Sequence, residues 1–241
     1  MDKQIIKRII FAIAILIFLY VVFLIMKNYE KKGETNMPYK INKILVVSTV
    51  DSEKLDTNES LWNVNVGQAN DIFIYIEKNG DTERTIKKIT LDNFEVTVKP
   101  QKGEVSLLRP TGDLENLYQN SKEDIIDKSL EYLGSEIDEM KSLEVSNIGG
   151  MIGFRLFNKN LGTYTSNEGE EIVYDGSLLS KLGTSLSDIR FSTNFDITIT
   201  TDKDINYKGT VTLNLPVGNI IENGKDNLEL TDFSDVIFKR I

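Results

Sequence analysis

A chain of 241 residues with no histidine, no cysteine and 28 Lys/Arg against 37 Asp/Glu excludes several chemistries at once. No Ser-His-Asp triad, imidazole base, thiolate nucleophile, zinc-thiolate site or disulfide can be built from it. The charge is divided: residues 1–32 carry six Lys/Arg and two acids, leaving 22 and 35 for residues 33–241, and a net of −13 that repels nucleic acid.

The first element is apolar throughout. From Ile9 to Met26 the chain reads IIFAIAILIFLYVVFLIM, without a charge. As a helix it measures about 27 Å, close to the hydrocarbon thickness of a bilayer. A cleaved signal peptide has a shorter core and a small-x-small cleavage site, whereas this run continues into KNYEKKGETN. The reading is an uncleaved anchor, with the bilayer as partner through residues 9–26. Three Lys/Arg flank each end, so charge bias decides little. The short tail, residues 1–8, places the N-terminus in the cytoplasm and the rest outside the plasma membrane.

Residues 27–38 read as a polar stalk closed by Pro38. The domain expected over 39–241 is dominated by period-2 alternation. Ile44–Val47 is a buried strand. In 61–66, Trp62, Val64 and Val66 share an apolar face, which puts Trp62 in the core. In 71–77, Ile72, Ile74 and Ile76 oppose Phe73 and Tyr75, so this strand is apolar on both sides and central. Asn79-Gly80 then signals a hairpin returning through 86–91. Phe94, Val96 and Val98 alternate up to Pro100.

Ser121-Lys122-Glu123-Asp124 resembles a capping box. Ile126, Leu130, Leu133, Ile137 and Met140 follow at helical spacing, which predicts one long inserted helix interrupted at Gly134. Gly149-Gly150-Met151-Ile152-Gly153 lacks a phosphate-loop lysine and reads as glycines opening a strand. A short helical turn is expected over 177–182. Phe195, Ile197 and Ile199, a turn at 202–206, then Val211, Leu213 and Leu215 form the clearest hairpin, and a last strand is expected at 236–238. The fold class that follows is mainly β, an antiparallel sandwich or an α+β domain.

Candidate chemistry is sparse. Asp202, Asp204 and Asn206 copy the D-x-D-x-N start of a calcium loop, but Tyr207 and Leu213 stand where such a loop needs glycine and glutamate. Asp and Asn also dominate ordinary turns, the preferred reading here. Glu168, Glu170 and Glu171 cluster as carboxylates, the residue type that glycosidases pair. No S-x-x-K occurs, and Asn58-Glu59-Ser60 is a glycosylation triplet. No catalytic residue and no cofactor are expected.

The function these observations suggest is an anchored binding or structural module at the cell envelope, engaging a protein or an envelope polymer. Two alternatives stand beside it. One is an anchored hydrolase using paired carboxylates on an envelope polysaccharide, and the other a cytoplasmic-facing regulatory or assembly module. The bias toward Ile, Asn, Lys and Asp resembles the usage of an AT-rich bacterial genome.

Overall fold

The fold is taken from a computed structural model that describes residues 3–27, 37–55, 61–110, 129–136 and 142–241. Helix α1 (Lys3–Lys27) carries the apolar run, and its Gln4–Leu24 stretch is long and apolar enough to cross a membrane. Its apolar window is not buried against the other described residues.

The remaining described chain is mainly β, in two sheets. The first has five strands in the order β10 (Lys225–Leu230), β1 (Tyr39–Lys54), β2 (Asn63–Lys78), β7 (Gly150–Thr165) and β4 (Glu104–Leu108). The second has the order β11 (Lys239–Arg240), β9 (Asn206–Leu215), β8 (Phe191–Thr201), β3 (Ile86–Val98), β5 (Leu130–Ser135) and β6 (Glu144–Ser146). Pairing is antiparallel except between β5 and β6. Alternation decides which side chains meet. Ile44, Val46, Ile72, Ile74, Phe154 and Leu156 of the first sheet share one core with Ile89, Leu91, Phe195, Ile197, Val211 and Leu213 of the second.

Chain entry defines the two ends of this body. Met37 is already buried, so the last residues of the expected stalk belong to the fold. Tyr39 secures them: its hydroxyl lies 2.6 Å from the Arg84 carbonyl and 3.0 Å from that of Asn147. Burial is the main cause that pushes this hydroxyl up to about 12. From there β1 runs 16 residues, about 50 Å, to the far end.

A buried polar belt divides the interior. Ser48 Oγ donates to Asn70 Oδ1 at 2.7 Å, Gln68 Nε2 donates to the same oxygen at 2.7 Å, and Val217 N–H donates to Ser48 Oγ at 3.0 Å. Beyond the belt lies a second, smaller core of Val50, Val64, Val66, Leu161, Leu178, Leu179, Ile189 and Ile220.

Several expectations stand as read. β2 is central, Gly150 opens β7, and β8 pairs with β9 with Phe195 opposite Val211. Helix α2 (Gly176–Lys181) covers the expected turn at 177–182. Other expectations need correction. The Asn79-Gly80 hairpin does not form: β3 pairs with β5 and β8 in the second sheet. Both edges of β2 are already taken by β1 and β7, so no edge is left for a returning strand. The last strand is β11, which follows the expected 236–238, while Val236 and Phe238 contribute buried side chains.

The long inserted helix is also overturned where it is described, because Leu130–Ser135 is strand β5. Leu130 and Tyr132 are buried at period 2 and pair with Leu91 and Ile89 of β3, whose open edge supplies the ladder. At Gly134 a Cβ would stand 2.0 Å from the Ile86 carbonyl oxygen, so the residue that would interrupt a helix here permits the close approach of two backbones. The other helix positions, 121–128 and 137–141, lie outside the described residues.

Candidate functional site

Exposed aromatic and apolar side chains gather at the far end, where three helical turns rather than the second sheet cover the inner face of the first. Asp175 caps α2 by accepting from the Ser177 backbone N–H at 2.9 Å and from the Ser177 hydroxyl. At Gly176 a Cβ would stand 1.8 Å from the Ile221 carbonyl oxygen, so only glycine lets α2 lie against α4 (Ile220–Asn223). Ser185 and Asp188 form a capping box on α3 (Leu186–Ile189). Together these turns bury Leu178, Leu179, Ile189 and Ile220 against Val64 and Val66.

Around this cap runs a rim of exposed apolar groups. Trp62 is 41% exposed, Leu55 51%, Tyr174 52% and Val173 57%. The expectation of a core Trp62 is therefore corrected. Its parity points inward like Val64, but it lies beyond the last row the cap covers. Its backbone is nevertheless fixed: its N–H donates to Ser166 Oγ at 2.9 Å and its carbonyl accepts from Ser166 N–H at 2.8 Å. Lys54 Nζ sits 4.4 Å from the centre of its ring. The Tyr174 hydroxyl is 2.9 Å from Ser52 Oγ. Each ring thus has one side-chain partner and stays half-exposed, and a ring already restrained loses less rotamer freedom on binding.

Glu170 organises the loop that carries Tyr174. Its carboxylate accepts from Lys181 Nζ at 2.6 Å, from the Asn167 N–H at 3.0 Å and from the Tyr164 hydroxyl at 2.9 Å. These donors, Lys181 first, pull it down to about 2 from its ordinary 4.5. A depressed carboxylate stabilises the folded state above its unfolded pKa and loses that contribution as pH falls through the folded one. Acidification from pH 4.5 to about 2 is therefore expected to loosen the loop. Trp62 is the only tryptophan in the chain and is tied to Ser166, so its fluorescence reports the change. In Glu170→Gln the acid transition should disappear, and a transition that persists there would assign it to another group.

The groups singled out from sequence do not converge. Asp202, Asp204 and Asn206 form the β8–β9 turn at the entry end. Asp202 faces Arg84 at 3.7 Å, Asp204 pairs with Lys87 at 2.5 Å, and Asn206 Oδ1 accepts from Thr200 Oγ1 at 2.7 Å. Each side chain has its own partner, and among the described residues no group of three acidic side chains is placed to hold a metal ion. Glu168 and Glu171 are exposed beside Glu170, and Asn58 lies outside the described residues.

A carboxylate pair that sequence reasoning missed lies on the outer face of the first sheet. Arg155 donates to Asp71 through Nε at 2.6 Å and Nη2 at 3.0 Å, and to Asp51 through Nη1 at 3.3 Å. Burial raises the Asp51 carboxyl above the usual aspartate range, with Arg155 opposing the shift. No short-range signal marked them: Asp51, Asp71 and Arg155 are three of several polar residues at outward parity, and the β1–β2–β7 pairing is what brings them together. Comparison with known proteins finds no matching family model, no matching curated protein and no matching solved structure. The rim must be read from its own chemistry.

Proposed function

We propose that the chain is a single-pass membrane-anchored binding module, with α1 in the plasma membrane and residues 37–241 on the extracytoplasmic side. The observation that carries this reading is the rim of Trp62, Tyr174, Leu55 and Val173, exposed at the end opposite to where the chain enters from α1. Pre-positioned aromatic rings with a polar surround are what binding hot spots are made of. The neighbouring Asn167, Glu168 and Glu171 supply exposed amide and carboxylate groups beside them. That mixture suits an envelope polysaccharide, on which rings stack and carboxylates accept hydroxyl hydrogen bonds. Because Asp51 and Asp71 are both committed to Arg155, they lend the paired-carboxylate hydrolase no support.

Co-sedimentation of the full chain in nanodiscs with purified envelope polysaccharide tests the proposal. Trp62→Ala combined with Tyr174→Ala is expected to weaken association at least about tenfold while the variant still unfolds cooperatively with only a small drop in melting temperature, because both rings are half-exposed. Equal association of variant and wild type would sink the rim as the contact. Protease shaving of intact cells tests the orientation: an extracytoplasmic domain is cut, a cytoplasmic one is spared.

A further inference from the structure

A groove lies on the flank of the body, lined by residues other than those of the rim. Where the chain leaves β9 and crosses to the first sheet, this groove of about 530 Å³ opens between the two sheets, within the size range of small-ligand pockets. Its apolar wall is built by Leu215, Pro216, Val217 and Leu228, and Arg190, Asn214 and Asn227 also line it. Although residues 33–241 carry a net charge of −13, the lining of this groove holds one guanidinium and no carboxylate.

Several donors line it without a protein acceptor. Among the described residues no acceptor engages the Arg190 guanidinium or the Gly218 N–H. Ser192 Oγ donates to Asn214 Oδ1 at 2.6 Å, which leaves the Asn214 amino group as the part of that amide free to donate. The nearby Asp226 carboxylate is occupied by backbone donors, Asn219 N–H at 3.0 Å and Asn227 N–H at 2.8 Å. The same bond covers an N–H on the open edge of β10. In the β1–β10 ladder, Val50 donates to Gly224, so Asp226 and Leu228 turn their peptide groups toward β1, and Asn227 turns its own outward. An added strand is therefore poorly served here, while a short ligand meets free donors and an aliphatic wall. Gly218, at φ +64°, leaves no room for a side chain, because a Cβ would collide with Asp226.

We propose that this groove binds a short ligand ending in a carboxylate next to a small aliphatic group, with Arg190 taking the carboxylate and Leu215, Val217 and Leu228 the apolar part. The recognition is a planar guanidinium on a planar carboxylate, the pairing for which arginine rather than lysine is suited. It does not depend on the rim, and substitutions at Arg190 are expected to leave association through Trp62 intact.

The probe is N-acetyl-Leu-Ala with a free C-terminus, titrated calorimetrically into the full chain in nanodiscs beside its C-terminal amide and inorganic phosphate. The free acid is expected to bind at least about tenfold more tightly than the amide. Arg190→Gln should reduce it to the level of the amide, and Leu228→Asn should weaken it with an unchanged melting temperature. The proposal is overturned if acid and amide bind alike, if folded Arg190→Gln binds as wild type does, or if the wild type binds neither peptide. Phosphate binding as tightly as the free acid also overturns it, since the aliphatic wall would then contribute nothing.

Discussion

Truncating Phe195 to alanine is expected to cost about 3–5 kcal/mol of folding stability, read as a shift in the urea midpoint of the full chain in micelles. The ring is fully buried where the two sheets meet. It stacks on Phe94 at 5.3 Å and meets Phe154 edge-on at 5.3 Å, while Phe94 and Phe154 lie 5.4 Å apart. Removing it leaves a cavity bordered by two rigid rings and strands on both sides, which cannot collapse cheaply. Aromatic pair geometry adds to the loss beyond burial alone. Against a total stability of about 5–15 kcal/mol for an ordinary domain, one truncation takes a large share. A loss below about 1 kcal/mol would mean that the sheets are not packed through this triad.

Replacing Arg155 by methionine is the second large effect, and its pH dependence separates charge from packing. The Arg155 side chain is 16% exposed and those of its partners Asp71 and Asp51 are 17% and 26% exposed, so the substitution leaves two largely desolvated carboxylates on one sheet face. Breaking a fully buried pair costs about 3–5 kcal/mol, and partial solvation reduces the expectation here to about 2 kcal/mol at neutral pH. The sign with pH follows from Asp51. Burial already holds its carboxyl above the ordinary 3.8, and Arg155 is the main force pulling it back. Without Arg155 the folded-state pKa rises further. A carboxyl with a raised folded pKa binds its proton more tightly folded than unfolded, so folding gains as pH falls through that value. The deficit of the methionine variant should therefore be largest near pH 7 and shrink toward pH 4. Adding Asp51→Asn to the variant should recover part of the loss at pH 7. A deficit that is the same at both pH values would mean that the arginine stem, not its charge, supports the sheet.

How far each element was legible depended on whether its hydrogen-bond partners were local. The β8–β9 hairpin and the turn at α2 follow from spacing along one short stretch, and the apolar residues on both faces of β2 mark it as central although its β7 partner is distant. Residues 130–135 did not, because Leu130 and Leu133 satisfy a helical spacing while Leu130 and Tyr132 satisfy a strand. The open edge of β3, 40 residues away in the chain, is what settles the matter for Leu130 opposite Leu91 and Tyr132 opposite Ile89. Trp62 shows the same limit at the level of one side chain. Its parity with Val64 and Val66 is legible, whereas its exposure depends on how far the cap from α2, α3 and α4 extends. The Arg155 clamp needs three strands in register before its charges meet.

By itself the sequence determined the apolar helix, the absence of histidine and thiol chemistry, the acidic domain and its β-rich character. Those are properties of composition and of periods shorter than a strand, and no distant contact can alter them. Only the tertiary structure decided which sheet each strand joins, that Trp62 stands at the rim, and that Arg190 faces a groove without a carboxylate. Each of these depends on surfaces brought together from positions far apart in the chain, where the hydrophobic pattern fixes which face is buried but not what covers it.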